Sequence, residues 1–188
     1  MSLLRLFIDI FMTKEIIKIG VIGYSAKSFP IYEAYNKILY AIEKAIYLSA
    51  RYYITDGYAW SQVSKEEYRK HGICKIITYP KFEIISGLTD YGIPALTYCI
   101  CESMALRKDY QIETVGFAPK CSLTDNICKV DKQIIVGENY GDESEEFVKY
   151  IDILIKVGGG LQSIKEAKLF KQLKPNNVFI EKKLKFYD

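Results

Sequence analysis

Residues 151–167, IDILIKVGGGLQSIKEA, decide how this chain is read. Ile151–Val157 is an apolar, β-branched run of strand length, and Gly158–Gly160 break it. From Leu161 to Leu173 the apolar residues return at helical spacing. An unbroken apolar strand is the habit of parallel sheets buried between two helix layers. The same alternation recurs outward from this segment. Ile16–Gly23 (IIKIGVIG) predicts a strand, followed by a helix entered near Ser28-Phe29-Pro30, where proline suits the first helical position. The stripe Ile31, Tyr35, Ile38, Leu39, Ile42, Ala45 and Ile46 predicts one buried face of that helix. Further strands are expected at Ile73–Thr78, Phe82–Ser86, Ile112–Phe117, Ile134–Gly137 and Val178–Glu181. Pro94–Lys108 reads as a buried helix, and Asp142–Tyr150 as a helix whose acidic first turn suits the positive end of its dipole. Strands alternating with helices imply an α/β fold: an open, mainly parallel sheet with helices on both faces.

The chain has 188 residues, 49% of them hydrophobic, and suits one domain with a sizeable core. The expected division is an N-terminal extension over residues 1–15 and a single domain over 16–188. The opening MSLLRLFIDIFM carries Arg5 and Asp9 inside its apolar run, which is too short and too interrupted for a membrane span. Twenty-six basic and 23 acidic side chains leave a net charge of +3, with no concentrated basic face of the kind a duplex-DNA binder needs. Five cysteines without repeated spacing predict reduced thiols and a cytoplasmic setting rather than a disulfide framework. Cys99-x-Cys101 is not the usual zinc hook, and the chain holds a single histidine, so no metal site is expected. His71, three residues before Cys74, reads as a surface histidine. Asp142, Glu143, Glu145 and Glu146 read as a dipole-stabilising turn, not a chelate. Tyr58 and Trp60 beside Gly57 read as a packed loop cluster.

Right-handed crossovers place every strand-to-helix turn on one edge of such a sheet, where ligands bind. Three glycine-bearing turns therefore carry the functional expectation: Gly23-Tyr24-Ser25, Gly87–Pro94 (GLTDYGIP) and Gly158–Ser163 (GGGLQS). Glycine admits close backbone approach, and a helix start offers unpaired N–H groups to an anion. None of the three matches the dinucleotide fingerprint or the P-loop. The candidate phosphate-binding residues are Gly23, Ser25, Gly87, Thr89, Asp90, Gly92, Gly158, Gly159, Gly160, Gln162 and Ser163. Asp90 is expected to cap a helix or accept a ribose hydroxyl. Ser163-x-x-Glu166 also reads as a capping box, the serine closing the helix and the glutamate reaching back.

The segment GGGLQSIKE resembles the G-G-x-G-T-x-x-E motif of the SLOG superfamily, a Rossmann-like group that includes the LOG-type phosphoribohydrolases and DNA-processing protein A. In that alignment Gly159 and Gly160 fall on the glycine pair, Ser163 on the threonine and Glu166 on the glutamate, while Gln162 replaces a glycine. ISGLTDYGIPALTY (Ile85–Tyr98) and IKIGVIGYS (Ile17–Ser25) resemble the family's phosphate loop and opening strand. Arg51–Phe82 has no assigned counterpart. The resemblance implies a nucleotide monophosphate-like ligand, a homodimer and, in the LOG branch, Glu166 as the carboxylate that breaks an N-glycosidic bond. That chemistry also needs an arginine, and the matching stretch ENYGDESEEF (Glu138–Phe147) has none; Arg51 or Arg107 would have to supply it. The expected function is nucleotide binding in a sensor or carrier role. Nucleoside 5′-monophosphate hydrolysis is the second reading and single-stranded DNA binding the third, the latter disfavoured by the near-neutral charge.

Overall fold

The computed structural model describes residues 15–26, 28–49, 51–53, 76–78, 80–105, 111–124 and 126–184. Its centre is β1 (Ile16–Gly23), as the all-apolar reading predicts. Ile17, Ile19 and Val21 are fully buried on one face, while Ile22 joins the core on the other. Gly20 leaves room for the side chains of Phe147 and Ile151, which stand where a Cβ would be.

Beside β1 lie β4 (Lys81–Gly87) and β7 (Ile153–Val157), both parallel to it. Then β5 (Ile112–Ala118) and β6 (Lys132–Ile135) extend the β4 side, and β8 (Phe179–Lys182) the β7 side. The resulting order, β6-β5-β4-β1-β7-β8, is an open, wholly parallel six-stranded sheet. The chain winds outward from β1 to β6, then returns to the far side of β1 to begin β7. That reversal is the topological switch point of a doubly wound sheet.

Helices α1 (Ile31–Ser49) and α2 (Gly92–Ala105) cover one face, with Ala34, Ile38, Ala41, Ile42, Ala45, Ile46, Ile93 and Ile100 in its core. Helices α3 (Ser144–Tyr150) and α4 (Leu161–Leu173) cover the other, packing Phe147, Val148, Ala167 and Phe170 on Ile85, Val115, Phe117 and Leu154. Burying an aliphatic or phenylalanine side chain stabilises a fold by about 1.5–3 kcal/mol, so these two layers carry most of the driving force.

Several boundaries differ from the sequence expectation, each for a local reason. The strand expected at Ile134–Gly137 lies two residues earlier because Gly137 leaves the sheet at φ +75°. The carboxylate of Asp142 closes the turn that follows by accepting the N–H groups of Glu138 and Asn139, so α3 starts at Ser144 and not at Asp142. Ile151 and Asp152 precede β7: Asp152 clasps the start of β1, its N–H donating to Lys18 O and its carboxylate accepting Lys18 N–H. Of the expected strand Ile73–Thr78, the described residues Ile76–Thr78 form β3, which pairs antiparallel with β2 (Arg51–Tyr53) in a separate ribbon. The expectations for residues 1–14, Gly57, Tyr58, Trp60, His71, Cys74 and Arg107 lie outside the described residues. Among the described residues no helix is long and apolar enough to cross a membrane, and no cluster of side chains could hold a metal ion. Cys99, Cys101 and Cys128 are free thiols.

Candidate ligand-binding cleft

Because β1 and β7 end level at Gly23 and Val157, and β4 and β5 level at Gly87 and Phe117, the turns that follow share one edge. They enclose a cleft of about 1140 Å³, at the upper end of small-molecule sites, which run to roughly 1,000 Å³.

The first wall is the β1–α1 turn, Gly23–Ala26. It is tied to the second by the N–H of Ile93, which donates to Tyr24 O at 2.8 Å. Gly92 makes this junction: at φ +75°, a Cβ there would lie 2.3 Å from Tyr24 O. The second wall runs from Ser86 to Tyr91. Leu88 is buried in the space left by Gly116, and its carbonyl accepts the Cys128 N–H, so the neighbouring Gly87, Thr89 and Asp90 face the cleft. Thr89 is further held by a bridge to Ile127 and by Cys128, whose thiol donates to its carbonyl. Burial, with the Asp90 charge adding, raises that thiol's pKa to about 11, and it stays protonated.

The third wall is the start of α4, and here the capping-box expectation is corrected. Gly160 is the N-cap, without a side-chain cap, and Ser163 is already the third helical residue. Its hydroxyl donates instead to Gly23 O at 2.9 Å, stapling α4 to the end of β1. The excess of glycine in GGGLQS also has a structural cause. Gly158 and Gly159 adopt φ +61° and +118°, and a Cβ on Gly158 would enter the Tyr24 ring. Both stand behind the wall, as does Gly92, and none of the three lines the cleft. Gly23, Ser25, Gly87, Thr89, Asp90, Gly160, Gln162, Ser163 and Glu166 do line it. At the mouth of α4 the N–H groups of Leu161, Gln162 and Ser163 precede the first intrahelical bond, which Ile164 makes to Gly160.

Glu166, freed from capping, closes the floor. It is 7% exposed, and its Oε1 accepts from Ser144 Oγ (2.8 Å) and Gln162 Nε2 (3.1 Å). The same Gln162 amide reaches Glu143 Oε1 at 2.9 Å, and the Gly141 N–H binds Glu143 Oε2. Burial raises the Glu166 pKa; the bonds from Ser144 and Gln162 pull it back, and the Glu143 charge adds to the rise. The rim is apolar and aromatic: Tyr24, Tyr91, Tyr140 and Leu161, the last 80% exposed.

Glu143, Ser144 and Tyr140 were not candidates on sequence. Their only signal was the place of ENYGDESEEF where the LOG pattern carries arginine. No Lys, Arg or His is among the described residues that line the cleft. Lys149 pairs with Glu145 and Glu146, and Lys156 with Glu181.

No family model matches the chain, and no curated protein matches it in sequence. Solved structures do share its architecture. The structural-genomics target TM1055 aligns at a TM-score of 0.50 and 16% identity, over 84% of this chain and 69% of that one. This chain has a Rossmann-like fold. A molybdenum cofactor carrier protein from Chlamydomonas reinhardtii aligns at a TM-score of 0.49 and 19% identity, over 88% of this chain and 75% of that one. At 16% identity the likeness to TM1055 speaks for the fold alone.

Proposed function

We propose that this protein binds a nucleotide-type, phosphate-bearing small molecule in the cleft, as a SLOG-type sensor or carrier. The observation that carries the reading is the convergence of three separate strand-to-helix turns, after β1, β4 and β7, on one cavity at the switch point of the sheet. Peptide N–H groups at the mouth of α4, with the hydroxyls of Ser25 and Thr89, supply donors for a phosphate. The ring-bearing rim offers a surface for a base. Titration calorimetry of ribonucleosides and of their 5′-mono-, di- and cyclic phosphates tests the reading. Saturable binding of one of the phosphates supports it, and no heat from any of the phosphates refutes it. A homodimer belongs to the same reading and is checked by sedimentation velocity.

The position of Glu166 favours a second reading, a nucleoside 5′-monophosphate phosphoribohydrolase. A buried carboxyl whose pKa is raised by burial, at the floor of a cleft, suits proton transfer to a leaving base. Release of free base from a nucleoside monophosphate, abolished in Glu166→Gln, would establish it. Unchanged turnover in that variant would remove Glu166 from the mechanism.

A further inference from the structure

The polar groups at the floor of the cleft are built for donors, not for anions. Where a phosphate clamp needs a guanidinium, α3 and the turn before it present Glu143 and Ser144 to Glu166 and Gln162 of α4. Both carboxylates are buried, Glu143 at 8% and Glu166 at 7% exposure, and both line the cavity. One amide, Gln162 Nε2, serves them together. Among the described residues no donor reaches Glu166 Oε2. An ionised carboxylate has about four acceptor sites and no donor, so this floor has capacity left for a ligand's O–H or N–H groups only. The remaining charged residue of the described lining, Asp90, is also acidic.

We infer that Glu143 and Glu166, bridged by Gln162, form a specificity-determining pole that accepts hydroxyl or amino donors of the ligand and excludes phosphate from that end of the cleft. The inference rests on the nucleotide-binding reading and narrows it. The favoured ligands are nucleotides with one phosphate, kept away from the pole, and each further phosphate weakens binding by like-charge repulsion. Gln162 is the positioning residue: its amide holds the two carboxylates side by side, so neither turns away from the cavity.

The test is calorimetry of the intact chain at low salt with each ribonucleoside, its 5′-monophosphate and its 5′-triphosphate. The expected order places the triphosphate at least about tenfold weaker than the monophosphate, because its extra charges meet uncompensated like charges in the cleft. Raising the salt should narrow the gap. Glu143→Gln, with its fold checked by circular dichroism, should tighten the triphosphate and weaken a ligand that donates to the pole. The wild-type order is decisive even if that variant does not fold. Affinity that rises with phosphate number overturns the inference and leaves the nucleotide-binding reading standing. Binding by no member of the series overturns both.

Discussion

Replacing Gly92 by alanine should loosen the junction on which two walls of the cleft depend. Gly92 sits at φ +75°, where an L-residue pays about 1–2 kcal/mol. Its new Cβ would also lie 2.3 Å from Tyr24 O, 2.9 Å from Ser25 Cα and 3.0 Å from Ala26 N. All three are backbone atoms, so relief requires the β1–α1 turn to move, and overpacking of this kind costs about 1–3 kcal/mol. The sum is about 2–5 kcal/mol, and for a chain of this size each kcal/mol lowers the melting temperature by roughly 2–4 °C. Gly92→Ala should therefore melt about 4–20 °C below wild type by calorimetry or circular dichroism. Gly160→Ala is the control: its φ is −86°, its Cβ would point into open space, and its cost should not exceed the roughly 1 kcal/mol of an alanine at an N-cap. Equal melting temperatures for the two variants would refute the geometry assigned to the Tyr24–Gly92 junction.

Other expected outcomes follow from the same coordinates. Tyr98→Phe removes a buried hydroxyl that accepts the Ser86 N–H and has Ser86 O and Val115 O as acceptors, so urea unfolding should show a loss of about 1–3 kcal/mol; a loss below a few tenths contradicts that network. Ser163→Ala breaks the staple to Gly23 O and should cost about 0.5–1.5 kcal/mol in the same assay, whereas a stabilised variant would show that the contact is not formed. Glu166 has a folded-state pKa above its ordinary 4.5, so the folded chain holds its proton longer than the unfolded one, and stability falls as pH rises through that window. Glu166→Gln should remove this slope. Its melting temperature relative to wild type should climb as pH increases from about 4.5 and then level off; a pH-independent difference contradicts the raised pKa.

Most of the sheet was legible because buried parallel strands leave a local signature. IIKIGVIG matched β1 residue for residue, and LQSIKEAKLFKQL matched α4. A largely apolar strand bounded by glycine, and a helix whose apolar residues recur at helical spacing, need no long-range information to be recognised. What sequence could not show was the direction of side chains at the helix mouths. Ser163 and Glu166 fit a capping box by spacing, but the chain enters α4 at Gly160, which turns both residues toward Gly23 and Ser144 instead. Likewise the glycines of GGGLQS suggested a ligand, whereas Gly158 and Gly159 both adopt positive φ, and a Cβ would meet the Tyr24 ring at the first and Ser163 at the second. Glu143 was invisible as a site residue because its role depends on α3 lying beside α4, a contact between segments about 20 residues apart that no local pattern encodes.

One ligand should engage all three turns of the cleft at once. Amide chemical-shift mapping of the labelled protein, titrated with whichever nucleoside or nucleotide binds in calorimetry, measures this directly. Resonances of Gly23–Ala26, Gly87–Tyr91 and Gly160–Ser163 should shift together and saturate at a single dissociation constant. Shifts confined to one turn, or appearing on the opposite edge of the sheet, would contradict it.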